Sequence, residues 1–331
     1  MQIGASKPDV LRVTNLSKAF VLERSFIGRM GDWFLGKPPQ KLRALDGVSF
    51  SVFERETVGI LGESGSGKST LARVLMGLHR ADSGTASLLG SDLLNTSKSD
   101  RLQTLRRIQM IFQDPFGSLD PRMNVRQILS EPLIIHKITP SPSLEECLKT
   151  ALGEVGLDHD VIGRYPSEFS GGQRQRIGIC RALILDPVLI IADEAVSALD
   201  VSVQAQILEL LVKLKEKRKL SLIFISHDVA VVRQLADRIL ILFQGRIVES
   251  LPADCLLKDV VHPYSRKLVS AALKLREGIE QPVIQSEKSE TGEGCLLRGS
   301  CERVGDDCRK FPELQEIHEN HFAACWNPPN A

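Results

Sequence analysis

The sequence predicts an α/β fold: a parallel-sheet core, an antiparallel N-terminal β-subdomain, an inserted α-helical subdomain and a small cysteine-containing C-terminal tail. Three observations carry that prediction. The apolar run Thr57-Val58-Gly59-Ile60-Leu61 leads into the glycine-rich stretch Gly62 to Thr70, and a helical stretch follows from Leu71 to Met76. Continuous apolar runs at Ile108–Phe112, Val188–Ala192 and Ser221–Ile225 suit strands buried on both faces. From Asn124 to about Asp186 the apolar spacing changes to three and four, the mark of helices set inside an α/β chain.

Composition sets the bounds. The 331 residues are 43% hydrophobic and 25% charged, enough for one large or two modest domains. Forty-two basic and 41 acidic residues leave a net charge of +1, so nothing global points to nucleic acid or an anionic membrane surface. Met1 to Pro8 carries no apolar signal region, and no run approaches the eighteen or so apolar residues a membrane helix needs. The expectation is a cytoplasmic protein that meets membranes through partners. Of seven cysteines, Cys147, Cys180 and Cys255 lie in helical or apolar surroundings and read as small hydrophobes, whereas Cys295, Cys301, Cys308 and Cys325 crowd the last 37 residues.

In order along the chain, Val10–Leu16 and Leu45–Val52 alternate as strands do, and between them Val21 to Arg43 reads as an irregular insertion containing Trp33, Phe34 and Pro38-Pro39. Phe20 has two readings, a platform for a nucleotide base or a core aromatic at a strand end. The stretch Gly62-Glu63-Ser64-Gly65-Ser66-Gly67-Lys68-Ser69-Thr70 fits G-x-x-x-x-G-K-[ST] in the required strand–loop–helix context, which predicts a phosphate-loop NTPase. Its glycines let backbone N–H groups face phosphate oxygens, Lys68 reaches the β- and γ-phosphates, and Ser69 ligates Mg²⁺. Asp82-Ser83-Gly84 reads as a turn, and Gln113 closes a strand where ligands bind in open α/β sheets, within reach of Mg²⁺ or an attacking water. Ser170 is a candidate N-cap whose following glycines, Gly171 and Gly172, expose amides at a helix start and imply a second anion site. Asp193-Glu194 ends another strand: Asp193 is expected to hold the same Mg²⁺ as Ser69, and Glu194 to polarise the water that attacks the γ-phosphate. His227 is a third polar strand terminus, and Arg238–Phe243 with Arg246–Glu249 reads as a hairpin turning at Gln244-Gly245.

Taken together, Gly62 to Thr70, Gln113, the run Ser170-Gly171-Gly172-Gln173, Asp193-Glu194, Ser197 to Asp200 and His227 resemble the motif set of an ATP-binding-cassette (ABC) ATPase from about Val10 to Glu249. The resemblance implies a head-to-tail dimer with two sandwiched ATP molecules. Each is held by Lys68, Ser69 and Gln113 of one subunit and by Ser170, Gly172 and Gln173 of the other. It assigns Glu194 as catalytic base, His227 as the residue sensing the γ-phosphate, Asp200 to the loop coupling the two sites and Phe20 to base stacking. Phe169 and Ala195 stand where many members have leucine and proline, but no reacting group is lost, so hydrolysis is expected. Tyr165 to Arg176 and His262-Pro263-Tyr264-Ser265 resemble the ATPases of bacterial dipeptide, oligopeptide and nickel importers. That implies a second ABC ATPase subunit, two transmembrane permeases, one of which docks beside Gln113, and an extracytoplasmic substrate-binding protein. No nucleic acid is implied. The expected place is the cytoplasmic face of the inner membrane. A soluble ABC ATPase of DNA repair or of the ribosome is the alternative; the interval from Gly62 to Ser170 holds no sustained heptads and the chain holds one cassette.

The expected division is a nucleotide-binding domain at 9–255, with its helical subdomain at about 120–186, a C-terminal helix and linker at 256–294, and the cysteine tail at 295–331. The four tail cysteines leave gaps of five, six and sixteen residues, outside zinc-finger spacing, yet four thiolates suit a tetrahedral or cluster site. The tail resembles that of the peptide-importer ATPases, for which a 4Fe–4S cluster is implied, although Gly299-Ser300 replaces the usual proline-arginine. Cluster, zinc and free thiols stay open.

Overall fold

The computed structural model describes residues 8–21, 41–95, 97–114, 117–276 and 294–328. Residues 22–40 of the expected insertion and 277–293 of the expected linker lie outside the described residues.

Strands β1 (Asp9–Val21), β2 (Lys41–Phe53), β4 (Ser83–Leu88) and β5 (Ser91–Asp92) form an antiparallel sheet in the order β2-β1-β4-β5. The main sheet contains β3 (Thr57–Leu61), β6 (Ile108–Ile111), β7 (Leu189–Asp193), β8 (Ser221–Ile225), β9 (Arg238–Phe243), β10 (Arg246–Pro252), β11 (Gln315–His318) and β12 (His321–Ala323), in the order β11-β12-β10-β9-β3-β8-β7-β6. Pairing is parallel from β9 through β6 and antiparallel from β9 outward to β11.

The continuous apolar runs have a simple cause, since alternate residues of each parallel strand enter different cores. Leu222 and Phe224 of β8 face the cluster that includes the helical insert, while Ile223 and Ile225 face the cluster shared with the antiparallel sheet. On the second side lies α1 (Lys68–Leu75), through Leu71, Ala72, Val74 and Leu75. The insert supplies α3 (Val125–Ile135), α4 (Leu144–Glu154) and α5 (Gly171–Leu183), whose spacing of three and four puts Ile128, Leu129, Leu148, Leu152, Ile177 and Cys180 into the first core. In sequence α2 (Lys98–Arg107) lies between β5 and β6, and α6 (Val201–Arg218), α7 (Val229–Leu235) and α8 (Pro263–Arg276) follow the signature region. Among the described residues no helix is long and apolar enough to cross a membrane. Burial pushes the Cys180 thiol up to about 12, so it behaves as the small hydrophobe expected.

The hairpin turns at Gln244 and Gly245, both with positive φ, the geometry of a twisted two-residue loop. One local expectation fails. Gly84 is not in a turn but inside β4, at φ 90°, where a Cβ would come 2.4 Å from the Asn15 carbonyl oxygen. Close approach of the irregular β1 backbone, rather than chain reversal, requires the glycine.

The cysteine tail is part of the main sheet. β12 pairs with β10 at Glu249↔Ala323 and Ser250↔Phe322, and Ala324 N–H donates to the Val248 carbonyl at 2.8 Å. At this junction the fully buried Glu249 carboxylate accepts from Val261 N (2.7 Å), His262 N (3.1 Å) and the ring Nε2 of His321 (2.8 Å). Three donors are what a buried carboxylate requires. Burial pulls the neighbouring His262 down to about 4, with Glu249 opposing, and its unprotonated Nδ1 accepts the Tyr264 N–H at 3.2 Å.

A pH dependence follows. Because the folded state holds His262 below its ordinary value of 6.5, stability is present above that value and lost as pH falls toward 4, when the unfolded chain takes up a proton the folded one refuses. His262→Asn, which keeps an acceptor for Tyr264, is expected to flatten the fall in thermal midpoint over this window; equal slopes for variant and wild type would contradict it.

Candidate functional site

Parallel register sets the site. β3, β8 and β7 are neighbours with Ile60↔Ile225 and Asp193↔Ile225 in step, and β6 joins at Ile111↔Ala192. Their carboxyl ends therefore lie along one edge, carrying Gly62, His227, Asp193-Glu194 and Gln113, where open α/β sheets bind ligands.

The phosphate loop needs glycine at two points for space. At Gly67, φ is 111° and a Cβ would sit 2.2 Å from the Ala44 carbonyl oxygen; at Gly62 it would meet the Leu242 carbonyl oxygen at 2.3 Å. Gly65, at φ 82°, turns the chain between them. Ser64 and Thr70 complete the stretch, Thr70 in the first turn of α1. Lys68, only 4% exposed, donates from Nζ to the carbonyls of Gly62 (2.7 Å) and Glu63 (2.8 Å). Burial lowers its pKa, against the pull of Glu194, Asp193 and Glu63. Within the loop the buried Ser66 hydroxyl has no hydrogen-bond partner among the described residues.

Ser69 donates its hydroxyl to Asp193 Oδ1 at 3.2 Å. Asp193 is also 4% exposed, and burial pushes its carboxyl up, with Ser69 opposing and Glu194 adding to the rise. An aliphatic hydroxyl and a buried carboxylate, both hard oxygen donors beside a lysine-bearing phosphate loop, fit Mg²⁺. Next to it, Glu194 holds a left-handed backbone, φ 47°, with its N–H tied to the Ile225 carbonyl at 2.9 Å. Such a conformation costs about 1 kcal/mol or more in a residue with a side chain, and is kept where something else requires it. What it secures is a carboxylate placed between two partners. Gln113 Nε2 donates to Oε2 at 2.8 Å, and His227 Nδ1 lies 3.4 Å from Oε1. Gln113, expected near metal or water, thus has its amide nitrogen on Glu194.

The signature residues form a second cluster. Ser170 caps α5 by accepting Gln173 N–H at 3.4 Å, while its own N–H donates to the Gln173 side chain at 3.1 Å. A Cβ on Gly172 would meet Val203 Cγ1 at 2.5 Å, so glycine lets α5 pack onto α6, and Gly171 faces Leu199. Asp200 caps α6, and the Ser202 hydroxyl and Val203 N–H that bond its carboxyl hold it below the ordinary carboxylate range. The two helix starts lie together, and among the described residues no hydrogen bond links them to the phosphate loop. Phe20 lies half-buried near the end of β1, edge-on to His79 at 5.3 Å and under the Lys18 ammonium.

In the tail, the Cys301 sulfur accepts from Arg303 N and the Cys308 sulfur from Gly305 N, at 3.4 and 3.5 Å. Burial pushes the Cys295 and Cys325 thiols up, opposed by backbone N–H groups of Leu297 and Asn327, while the other tail cysteines push them further. Among the described residues no group of three or more histidine, cysteine or acidic side chains is gathered as a metal-ion site. Sequence reasoning missed Glu249 and His321. A glutamate amid the apolar residues of β10 was the available signal; its partner lies 72 residues away.

The ABC transporter family matches residues 45–197, and the oligopeptide/dipeptide transporter C-terminal region matches 248–308. The oligopeptide transport ATP-binding protein OppF of Escherichia coli (strain K12) is 45% identical over 307 residues, covering 88% of this chain and 90% of the relative. OppF of Haemophilus influenzae is 41% identical, with 98% and 99% covered, and AppF of Bacillus subtilis, also an oligopeptide transport ATP-binding protein, is 39% identical, with 97% and 98% covered. Among solved structures, the dimeric ATP-binding cassette MJ0796 in a post-hydrolysis state with ADP and Pi superposes with a TM-score of 0.62 at 25% identity, over 73% of this chain and 98% of that one. A buried phosphate-loop lysine, a hydroxyl–carboxylate pair, a braced glutamate and a capped Ser-Gly-Gly-Gln helix thus occur in a chain aligned with these relatives almost end to end: it belongs to the ABC transporter family of ATP hydrolases.

Proposed function

We propose that this chain energises uptake of peptides: ATP bound at the phosphate loop of one cassette is closed over by Ser170, Gly171, Gly172, Gln173 and Asp200 of a second, and its hydrolysis drives two permeases. The observation that carries the reading is the bracing of Glu194 by Gln113 and His227 beside the Ser69–Asp193 pair. In this reading the site is completed by a partner cassette, and the similar ATP-binding cassette MJ0796 is dimeric in its post-hydrolysis state with ADP and Pi.

In this reading Lys68 exchanges its two carbonyl partners for phosphate oxygens, and loop amides together with Ser64 and Thr70 surround the same phosphates. Ser69 and Asp193, with Gln113 at the edge, would hold Mg²⁺, which neutralises phosphate charge and aligns the phosphoryl group. Glu194 takes the proton of the attacking water at its carboxylate while Gln113 and His227 fix its orientation. Phe20 is taken to stack on the base. The domain division expected from the sequence is kept here as a functional one, in which strands β11 and β12 of the tail extend the edge of the motor's main sheet. Peptide-type cargo is supported by the names of the relatives and by the match of the C-terminal region; a substrate-binding protein and a place on the cytoplasmic face of the inner membrane accompany that reading.

A 4Fe–4S cluster on Cys295, Cys301, Cys308 and Cys325 belongs to the proposal too. Its support is that backbone N–H groups reach the Cys301 and Cys308 sulfurs, the contact that stabilises thiolate ligands.

Three outcomes are expected. Glu194→Gln lowers ATP turnover by about 10²- to 10⁴-fold yet accumulates a dimer in ATP and Mg²⁺ on size-exclusion chromatography; turnover near wild type would remove Glu194 as the base. Asp193→Asn raises the thermal midpoint of the protein at pH 7 without nucleotide while abolishing the further rise with Mg²⁺ and ATP. The sign follows from a folded-state pKa raised by burial: the penalty is present above it and vanishes as pH falls through it, so the variant's advantage narrows on acidification. Finally, anaerobically purified wild-type protein is expected to contain iron and sulfide that Cys325→Ser lacks, and their absence from wild type after reconstitution would leave the thiols free or zinc-bound.

A further inference from the structure

The phosphate loop is also held from outside the motifs that define the ATP site. Tyr264 is fully buried, its ring 4.2 Å from that of Phe243, and its hydroxyl oxygen accepts the backbone N–H of Glu63 at 3.0 Å. Glu63 is the second residue of the loop, and its carbonyl is one of the two that accept from Lys68. Tyrosine therefore fixes one side of this residue and lysine the other.

Tyr264 is in turn anchored on several sides. Its N–H donates to His262 Nδ1, the N–H groups of His262 and Val261 donate to the Glu249 carboxylate, and the remaining donor on that carboxylate is His321 of β12. A continuous buried polar chain thus runs from the loop to the tail.

We infer that Tyr264 is a positioning residue of the ATP site, presetting the phosphate loop through Glu63, and that the docked tail supports it through His321 and Glu249. The inference rests on the reading that this loop holds ATP. Its energetic logic is preorganisation: a loop already ordered need not be ordered by the ligand, so the effect falls on ATP binding more than on the chemical step.

The test uses the full-length protein. Tyr264→Phe keeps the ring against Phe243 and removes only the hydroxyl. The expected result is a KM for ATP raised about three- to tenfold, with kcat changed by less than KM, and faster amide hydrogen exchange in the loop segment containing Glu63. His321→Phe, which leaves Tyr264 in place, is expected to give the same split and serves if Tyr264→Phe does not fold. Exchange is read without nucleotide, so this inference can fail while ATP binding by wild type succeeds, or the reverse. Unchanged exchange at the loop, or a loss confined to kcat, overturns the role of Tyr264. Unchanged exchange and KM in His321→Phe overturns the link to the tail.

Discussion

Removing the Lys68 ammonium from water is costly, and two backbone carbonyls offset that cost only in part. Negative charge must be available nearby, which is why Asp193, Glu194 and Glu63 all act on the same cation. Yet Asp193 is itself buried and disfavoured as an anion, so neither residue is relaxed alone. Phosphate and a divalent cation resolve both demands at once, and the strand ends, the glycine-only contacts and the left-handed backbone of Glu194 are the scaffold that holds these groups at that spacing. Catalytic capacity here is a consequence of unsatisfied electrostatics held rigid by a parallel sheet.

The signature residues and Asp200 form one packed unit. Helix starts at Ser170 and Asp200 meet where Gly172 leaves room for Val203, which joins the signature and coupling residues to the insert. Gln113 leads out of the main sheet toward that insert and is bonded to Glu194. The residue that braces Glu194 thus stands just past the end of β6, on the side of the chain that continues into the helical insert.

The local features of this chain could be read because their causes are local. Runs such as Leu222 to Ile225 announce strands buried on both faces, and polar residues closing those runs mark the ligand edge. What could not be read depends on distant partners. Gly84 looks like a turn until β1 is placed against it, and His321 means nothing until β12 lies along β10. Asp193 and Glu194 are adjacent in sequence, but that one meets Ser69 and the other meets Gln113 and His227 is settled by register between β6, β7 and β8.

The pairing of β12 with β10 also decides what the sheet presents to other chains. Without that pairing β10 would be an edge of apolar side chains, Ile247, Val248 and Leu251, with open backbone donors and acceptors, a template for strand addition and aggregation. With it, the outermost strand is the short β11, whose Gln315, Glu316 and His318 face solvent. Polar, charged and brief, that strand is a poor template. The cysteine tail thus covers the β10 edge of the sheet it joins and leaves a short polar strand outermost.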